Sequence, residues 1–353
     1  MPQDQPDRFR ILIIGRANAG KTTILRAVCG ADEEPSVYDR EGHLIQAAQE
    51  RLTSDDKPAR KSIRSTIRSL RDRITHKAPK SSGPSTPPSP GALGSILSPS
   101  SYRGEHNIEY SLIFPSNDRF VFHDSRGFES GSTDELEAVR NFIRVHASKG
   151  SMEKQLHAIW YCFPADSNQI ITTAEQEFFK KIDTGRVPVV AVFTKFDALD
   201  AAACGEICAQ GISLGDAQNR APQLAQAKFK EDVLPLINSQ PHPPKAVVCL
   251  RNMHRISLGA NAKATTELIE KTVTSLDEDA LKLLLIQVQH SNVELCIKAA
   301  INSGIIGKTA QGMIRNHTTT VDSVQLDMVK RLFEWFPYIW GVSADAQIIM
   351  FPS

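Results

Sequence analysis

Short apolar runs alternate with longer amphipathic stretches along most of this 353-residue chain. The runs are rich in β-branched and aromatic residues and occupy positions 9–14, 107–114, 120–123, 156–163, 187–193 and 245–250. Most have few polar interruptions, which is typical of strands that are buried on both faces of a parallel sheet. The pattern therefore predicts a sheet that is assembled from strands along the whole first part of the chain.

Helical spacing fills the intervals between these strands. Residues 134–149 place five side chains on one stripe: Leu136, Val139, Phe142, Ile143 and His146. Thr172 and Glu175 form a capping box that opens another helix, and a further helix is predicted over 217–237. Helices that alternate with buried strands predict an α/β fold, with a mostly parallel sheet covered by helices on both faces.

The sequence GRANAGKT at 15–22 lies between the strand at 9–14 and a helix that begins near residue 23. It matches the phosphate-binding pattern G-x-x-x-x-G-K-[ST] in the strand–loop–helix context that this chemistry needs. Glycines let the backbone wrap around phosphates, and successive N–H groups supply partial positive charge. Lys21 is predicted to reach the terminal phosphates, and the Thr22 hydroxyl to hold Mg²⁺. The predicted phosphate-binding residues are Gly15, Asn18, Ala19, Gly20, Lys21, Thr22 and Thr23.

A second motif, DSRG at 124–127, follows the strand-like run at 120–123. A carboxylate at the end of a strand can hold Mg²⁺ through water, so Asp124 joins Thr22 as a predicted metal-binding residue. Gly127 can offer its backbone N–H to a γ-phosphate. The pattern alone is weak, and its place after the phosphate loop makes it the expected second half of the Mg²⁺ site.

A third motif, TKFD at 194–197, follows the buried strand at 187–193. It has the [NT]-K-x-D arrangement of guanine-nucleotide proteins. The Asp197 carboxylate can accept hydrogen bonds from the ring N–H and the exocyclic amine of guanine, which adenine does not present as a pair. The stem of Lys195 is predicted to pack on the purine, with Thr194 beside it. All three motifs stand at carboxyl ends of strands, where open α/β sheets bind ligands.

These motifs resemble those of the translation-factor-related class of GTPases, and within it the Era-like and septin-related groups. The motif sequences are also similar to those of uncharacterised fungal G-domain proteins. The resemblance spans most of residues 9–300 and implies a P-loop NTPase G domain of the small GTPase type. It implies binding of GTP and GDP with Mg²⁺, and slow hydrolysis of GTP as a molecular switch. Water is expected to attack the γ-phosphate in line, with Lys21, Asn18 and Gly127 as the catalytic residues.

Two departures from the family pattern leave the turnover open. Phe128 stands where Ras-like members carry a glutamine that positions water, and a phenyl ring cannot orient water. Asn18 matches the asparagine that helps to coordinate K⁺ in Era-like relatives, or else it is simply tolerant of a tight loop. The alternative to a GTPase is a nucleotide-gated binding module with negligible hydrolysis. A P-loop kinase or an ATP site is disfavoured because TKFD has no role in either.

Two elements of the expected site cannot be placed from the sequence. No threonine stands close before the strand at 107–114 to close over Mg²⁺, and the nearest hydroxyls belong to Ser100 and Ser101. The last base-contacting loop should follow the strand at 245–250. Residues 251–254 read RNMH in place of the usual Ser-Ala-Lys, and residues 257–259 form a weaker candidate.

The G domain is predicted to span 8–275, with an insertion at 51–101. The insertion has a basic first half and a Pro/Ser-rich second half that cannot bury enough apolar surface to fold. It is either a tolerated loop or a regulatory segment with Ser/Thr-Pro phosphorylation sites. Residues 276–353 keep helical spacing, which predicts a C-terminal helical region that packs on the G domain or docks a partner.

Composition narrows the function classes further. The formal net charge is +1, which gives no strong nucleic-acid signal. The six cysteines form no C-x-x-C pair, so a zinc site is disfavoured and a reducing, cytoplasmic location is expected. No signal peptide or membrane span is expected, and peripheral membrane contact through the aromatic segment at 332–340 is a weak alternative. A homodimer or a protein effector, bound through the switch regions and C-terminal helices, remains open.

Overall fold

A computed structural model describes residues 8–47, 107–125, 133–147, 152–253 and 258–277, together with Leu281, Lys282, Leu284 and Leu285. The predicted insertion at 51–101, Gly127 of the second motif and the aromatic segment at 332–340 lie outside these residues.

The described strands form one eight-stranded sheet whose order in space is β3-β2-β4-β5-β1-β6-β7-β8. The strands, in chain order from β1 to β8, are Phe9–Gly15, Ser36–Tyr38, Leu44–Gln46, Ser111–Phe114, Asn117–Asp124, Ala158–Pro164, Val189–Thr194 and Ala246–Cys249. From β5 to β8 all neighbours pair in parallel, whereas β2, β3 and β4 pair antiparallel at one edge. The sheet is therefore mostly parallel, as predicted.

Helices lie in the crossover connections and after the last strand. They are, in chain order from α1 to α7, Lys21–Cys29, Thr133–Ala147, Thr173–Lys181, Asp197–Ala209, Leu214–Lys228, Pro235–Asn238 and Leu258–Ser275. Strand β1 lies between β5 and β6, so the chain proceeds from β1 first to one side of the sheet and later to the other. This change of direction makes the carboxyl end of β1 a topological switch point, where ligands of such sheets bind.

Alternate residues of each central strand enter different cores, which explains why these strands read as continuous apolar runs. On β1, Ile11 and Ile13 join the core that α1 and α7 cover, whereas Leu12 and Ile14 join the core under α2 to α5. The predicted stripe on α2 supplies Val139, Phe142 and Ile143 to the second core and buries His146. Both faces of the parallel part of the sheet are thus covered, which gives the α/β fold class that the sequence predicts.

The antiparallel edge differs from the sequence prediction. The β2–β3 hairpin was not predicted, because its two three-residue strands are too short to show a period of two. The predicted strand at 107–114 begins only at Ser111, since Asn107 opens a turn in which its carbonyl accepts from the Tyr110 N–H at 2.9 Å. Leu44 and Ile45 on β3 are about half exposed, at 55% and 48%.

The helical region between β7 and β8 is also more divided than predicted. Helix α4 was missed, and the predicted helix at 217–237 consists of α5, a π-helical turn at Phe229–Val233 and the short α6. Small buried residues on α5, which are Ala217, Ala221 and Ala225, recur every four positions and let α4 pack closely against it. None of the helices in the described part of the chain is long and apolar enough to cross a membrane.

Helix α7 is fastened to the central sheet by a buried polar contact. The Trp160 indole N–H on β6 donates to the Thr272 hydroxyl at 3.1 Å, and that hydroxyl donates to the Leu268 carbonyl at 2.7 Å. Trp160 and Thr272 have no exposed surface. Leu284 and Leu285, beyond this helix, join the same core.

Thr272→Val is expected to lower the free energy of unfolding by about 1–3 kcal/mol, because it leaves the buried Trp160 N–H without its acceptor. Thr274→Val is the matched control, since Thr274 lies exposed on the same helix and its hydroxyl donates only to the Lys271 carbonyl. Urea unfolding of both variants measures the difference. Equal, small losses would show that the indole contact contributes nothing.

Candidate functional site

The phosphate loop joins β1 to α1 in a conformation that its glycines permit. A Cβ on Gly15 would lie 2.5 Å from the Cys162 carbonyl oxygen of β6, so no side chain fits there. Gly20 adopts a left-handed conformation with φ of 74° immediately before α1, which suits a glycine. Asn18 is also left-handed, with φ of 61°, and asparagine tolerates this conformation better than most residues. The loop therefore makes a tight turn from β1 into α1.

The Lys21 side chain lies against the backbone at the start of this loop. Its ammonium group donates to the carbonyls of Gly15 at 2.7 Å and Arg16 at 3.2 Å. The same group lies 3.8 Å from Asp124 Oδ1 at the end of β5. The ammonium is therefore held among oxygen atoms at the point where the first two motifs meet.

The predicted Mg²⁺ residues lie at the adjoining ends of β5 and α1. Asp124 is opposite Ile13 in the parallel register of β5 and β1, and the Ser125 N–H donates to the Ile13 carbonyl at 3.1 Å. Thr22 is half-buried in the first turn of α1 and Thr23 is exposed. No group of three or more His, Cys, Asp or Glu residues that suits a metal occurs among the described residues. Mg²⁺ needs no such group, because it binds through one or two protein oxygens plus phosphates and water.

The third motif lies beside the phosphate loop. A Cβ on Gly20 would meet the Thr194 side chain at 3.8–3.9 Å, which is ordinary van der Waals contact. Thr194 is buried at the end of β7, and its hydroxyl donates to the Phe163 carbonyl at 3.4 Å. The structure therefore brings the motifs at 15–22, 124 and 194–197 to one edge of the sheet.

The two predicted base-binding side chains leave this edge in different directions. Lys195 is left-handed, with φ of 53°, and its ammonium contacts Asp166 Oδ2 at 2.8 Å in the segment after β6. Asp197 is the first residue of α4, and its Oδ1 accepts from the Asn252 backbone N–H at 2.9 Å. Sequence reasoning missed Asp166, because nothing in the local pattern marks it as a partner of Lys195.

The loop after β8 closes the site on the side of Asp197. Of the two sequence candidates for the last base-contacting loop, residues 251–253 contact Asp197, and Ser257 lies outside the described residues. Arg251 binds Asp200 through Nε at 2.7 Å and through a terminal nitrogen at 3.2 Å, and it covers the Phe196 ring at 4.5 Å. Burial opposes the charged form of Arg251, but its bonds to Asp200 outweigh this and raise the pKa of the guanidinium.

Arg16 ties the phosphate loop to the segment between β6 and α3, which sequence analysis did not anticipate. Its Nε donates to Glu175 Oε1 at 3.0 Å, and its NH2 donates to the carbonyls of Gln169 at 3.0 Å and Ile170 at 2.7 Å. Glu175 is fully buried, which raises its pKa despite the bonds from Thr172 and Arg16. The sequence identified Glu175 only as the capping-box residue of α3, a role that the structure confirms.

Cys162 lies below the phosphate loop as a buried thiol. Burial raises its pKa to about 12, and the nearby Lys21 only partly offsets this. The thiol is therefore neutral and acts as packing under Gly15. Cys29 is likewise a buried thiol, whereas Cys249 is half-buried.

No protein-family model matches the sequence, and no curated protein matches it either. Among solved structures, two GDP-bound mutants of NFeoB from S. thermophilus are similar, at 12% and 13% identity. The first match covers 92% of this chain and 98% of that chain, with a TM-score of 0.30. The second covers 97% of this chain and 94% of that chain, with a TM-score of 0.33. A GDP-bound mutant of the S. thermophilus FeoB G-domain is 12% identical. This match covers 93% of this chain and 90% of that chain, with a TM-score of 0.28. At this level of similarity, the description of the site rests on the contacts given above.

Glu175→Gln is expected to lower the free energy of unfolding by about 1–3 kcal/mol at pH 7, because it leaves the Arg16 charge without its buried partner. Glu177→Gln is the matched control: it lies on the same helix and pairs with Lys180 and Lys181 at the surface. The control should change stability little, because exposed pairs contribute little. Thermal and urea unfolding measure both, and equal losses would contradict the assigned role of Arg16.

Proposed function

We propose that this chain binds GTP and GDP with Mg²⁺ at the carboxyl edge of its sheet and hydrolyses GTP slowly as a molecular switch. The proximity of Gly20 to Thr194 carries this proposal, since a Cβ added at Gly20 would come within 3.8–3.9 Å of the Thr194 side chain. It sets a phosphate loop against a motif suited to guanine, so one nucleotide can engage both. Lineage within the Era-like and septin-related GTPases, suggested by the motif wording, is part of the same proposal.

The phosphate groups would lie within the loop from Gly15 to Lys21. Backbone N–H groups and the amino end of α1 supply partial positive charge there. The Lys21 ammonium contacts loop carbonyls at 2.7 and 3.2 Å, so it needs only to exchange these acceptors for phosphate oxygens. Bound Mg²⁺ would supply positive charge beside the phosphates, with Thr22 and Asp124 as the residues that hold it.

The guanine base would lie against the first turn of α4. Asp197 keeps one oxygen on the Asn252 N–H, which orients the carboxylate and leaves Oδ2 and further acceptor capacity for the base. The Lys195 ammonium is held by Asp166, so the alkyl stem is drawn across the interval between β6 and β7. That position suits packing on a purine face.

Turnover distinguishes the two candidate functions. Asn18 is exposed at the lip of the loop, and its left-handed backbone accounts for the residue whether or not it also contacts K⁺. Gly127 and Phe128 lie outside the described residues, so their roles rest on the sequence. A nucleotide-gated binding module with negligible hydrolysis is the alternative. Two features of the sequence favour it: Phe128, and the absence of a threonine close before the predicted strand at 107–114. A cytoplasmic location, and a homodimer or effector bound through the switch regions and C-terminal helices, complete the proposal.

Asp197→Asn is expected to weaken GDP binding by about 10-fold or more, because hydrogen bonds to a charged group contribute about 1.5–3 kcal/mol. The same variant should bind xanthosine diphosphate better than the unaltered protein does, since an amide can donate to the carbonyl that xanthine carries at C2. Titration with both diphosphates and with ADP measures the preference. An unchanged preference for GDP over ADP would remove guanine recognition from this site.

Phosphate release from GTP is expected to be slow and to rise with K⁺ or with protein concentration. K⁺ can place positive charge beside the phosphates where no arginine does so, and self-association can complete a site. The measurement compares KCl with NaCl over a range of protein concentrations, with Lys21→Met as the inactive control. Tight GTP binding with negligible release in every condition would favour the binding module.

A further inference from the structure

The loop after β8 is held to helix α4 by an unusual set of contacts around Arg251. The guanidinium donates hydrogen bonds to both carboxylate oxygens of Asp200, at 2.7 and 3.2 Å, and lies 4.5 Å from the centre of the Phe196 ring. Phe196 is fully buried, and it is the third residue of the TKFD motif. The paired side chains of Arg251 and Asp200, called the fork below, therefore join the loop to the helix that begins in the motif proposed to bind the base.

Backbone hydrogen bonds lock the same loop on its other side. The Leu250 N–H donates to the Phe193 carbonyl at 2.7 Å, and the Phe196 N–H donates to the Leu250 carbonyl at 2.9 Å. The next two residues turn sharply, with Asn252 left-handed at φ of 54°. This turn aims the Asn252 N–H at Asp197 Oδ1.

We propose that Arg251 and Asp200 are positioning residues that fix the Asp197 carboxylate for guanine recognition. This inference rests on the proposed function, since it assigns a source of base selectivity within the same site. The fork sets the path of residue 251, that path sets the direction of the Asn252 N–H, and the N–H orients the carboxylate. A planar guanidinium suits this role because its two donors match a carboxylate in one geometry only.

Arg251 acts through Asp197 and not on the base directly. Two of its nitrogens donate to Asp200, and its flat face lies over Phe196. The fork lines an open cavity of about 860 Å³ whose walls come from α4, the end of α5 and the loop itself. Within the described residues, that lining includes none from the phosphate loop.

The partial exposure of the fork makes it testable without unfolding the protein. The side chains of Arg251 and Asp200 are 31% and 19% exposed. Truncation therefore opens no core cavity, and the buried Phe196 keeps its contact with Phe229. A loss of selectivity can then be separated from a loss of fold.

The discriminating ligand is inosine diphosphate, which lacks only the exocyclic amine of guanine. A correctly oriented Asp197 accepts from the ring N–H and from that amine, so the ratio of the GDP and IDP affinities reports the orientation of its carboxylate. The phosphates are identical in the two ligands, so contacts in the phosphate loop cancel. A merely structural fork would leave this ratio unchanged.

The experiment measures dissociation constants for GDP, IDP and ADP by competition with a fluorescent guanine nucleotide. The variants are Arg251→Ala, Asp200→Asn and Arg251→Lys, with Lys228→Ala as the control because Lys228 on α5 also forms an ion pair with a residue of α4, Glu206. We expect the GDP preference over IDP to fall at least fivefold in the first two variants. The lysine variant should recover part of the preference, and the control should match the unaltered protein.

Outcomes separate this inference from the proposed function. If the unaltered protein shows no preference for GDP over ADP, guanine recognition itself is wrong and the fork has nothing to position. If it prefers GDP and the fork variants keep the full GDP-to-IDP ratio while remaining folded by circular dichroism, only the positioning role is overturned. A fall in the affinities for GDP and IDP by the same factor would equally reject it.

Discussion

The approach of the phosphate loop to the ends of β6 and β7 is the constraint on which the rest of the site depends. Gly15 leaves β1 so close to the Cys162 carbonyl that a Cβ would lie 2.5 Å from it, and a Cβ added at Gly20 would lie 3.8–3.9 Å from the Thr194 side chain. These close approaches place the loop against two neighbouring strands. Because the strands are parallel, their carboxyl ends bring the other two motifs to the same edge. Side-chain chemistry then acts within a geometry that backbone packing has already set.

Three charged links hold the loops that this packing brings together. Arg16 to Glu175 and Lys195 to Asp166 each join a motif to a segment from a neighbouring strand end, and Arg251 to Asp200 joins the loop after β8 to α4. The three ion pairs differ in how deeply they are buried, and therefore in how strongly water screens them. The first includes a fully buried carboxylate, whose ionised form burial disfavours; the second has 41% exposure on both sides and is screened by water. Rigidity should therefore be greatest at the phosphate loop and lowest at Lys195.

The sequence predicted what local chemistry determines, and it missed what only tertiary contact determines. The strand before Gly15, the helix after Lys21 and the capping box at Thr172 follow from short-range rules, and the structure has all three. The parallel strands were found because burial on both faces leaves continuous apolar runs. The β2–β3 hairpin has no such run, and the partners Asp166 and Asp200 are ordinary surface residues until the fold brings Lys195 and Arg251 to them. No pattern along the chain carries that information.

These links suggest how a nucleotide would act on the protein that binds it. The phosphate loop comes near the third motif at Gly20 and Thr194, and side-chain bonds from the two motifs run outward to Glu175, Asp166 and the loop after β8. A ligand that engages both motifs adds a connection across this gap. Because it binds the folded state alone, it stabilises that state in proportion to the logarithm of its concentration above the dissociation constant. Under the proposed function, the same bridge would couple the base to the phosphates. Contacts made at Asp197 would then influence the placement of the phosphates near Lys21, although the two side chains are not bonded to each other.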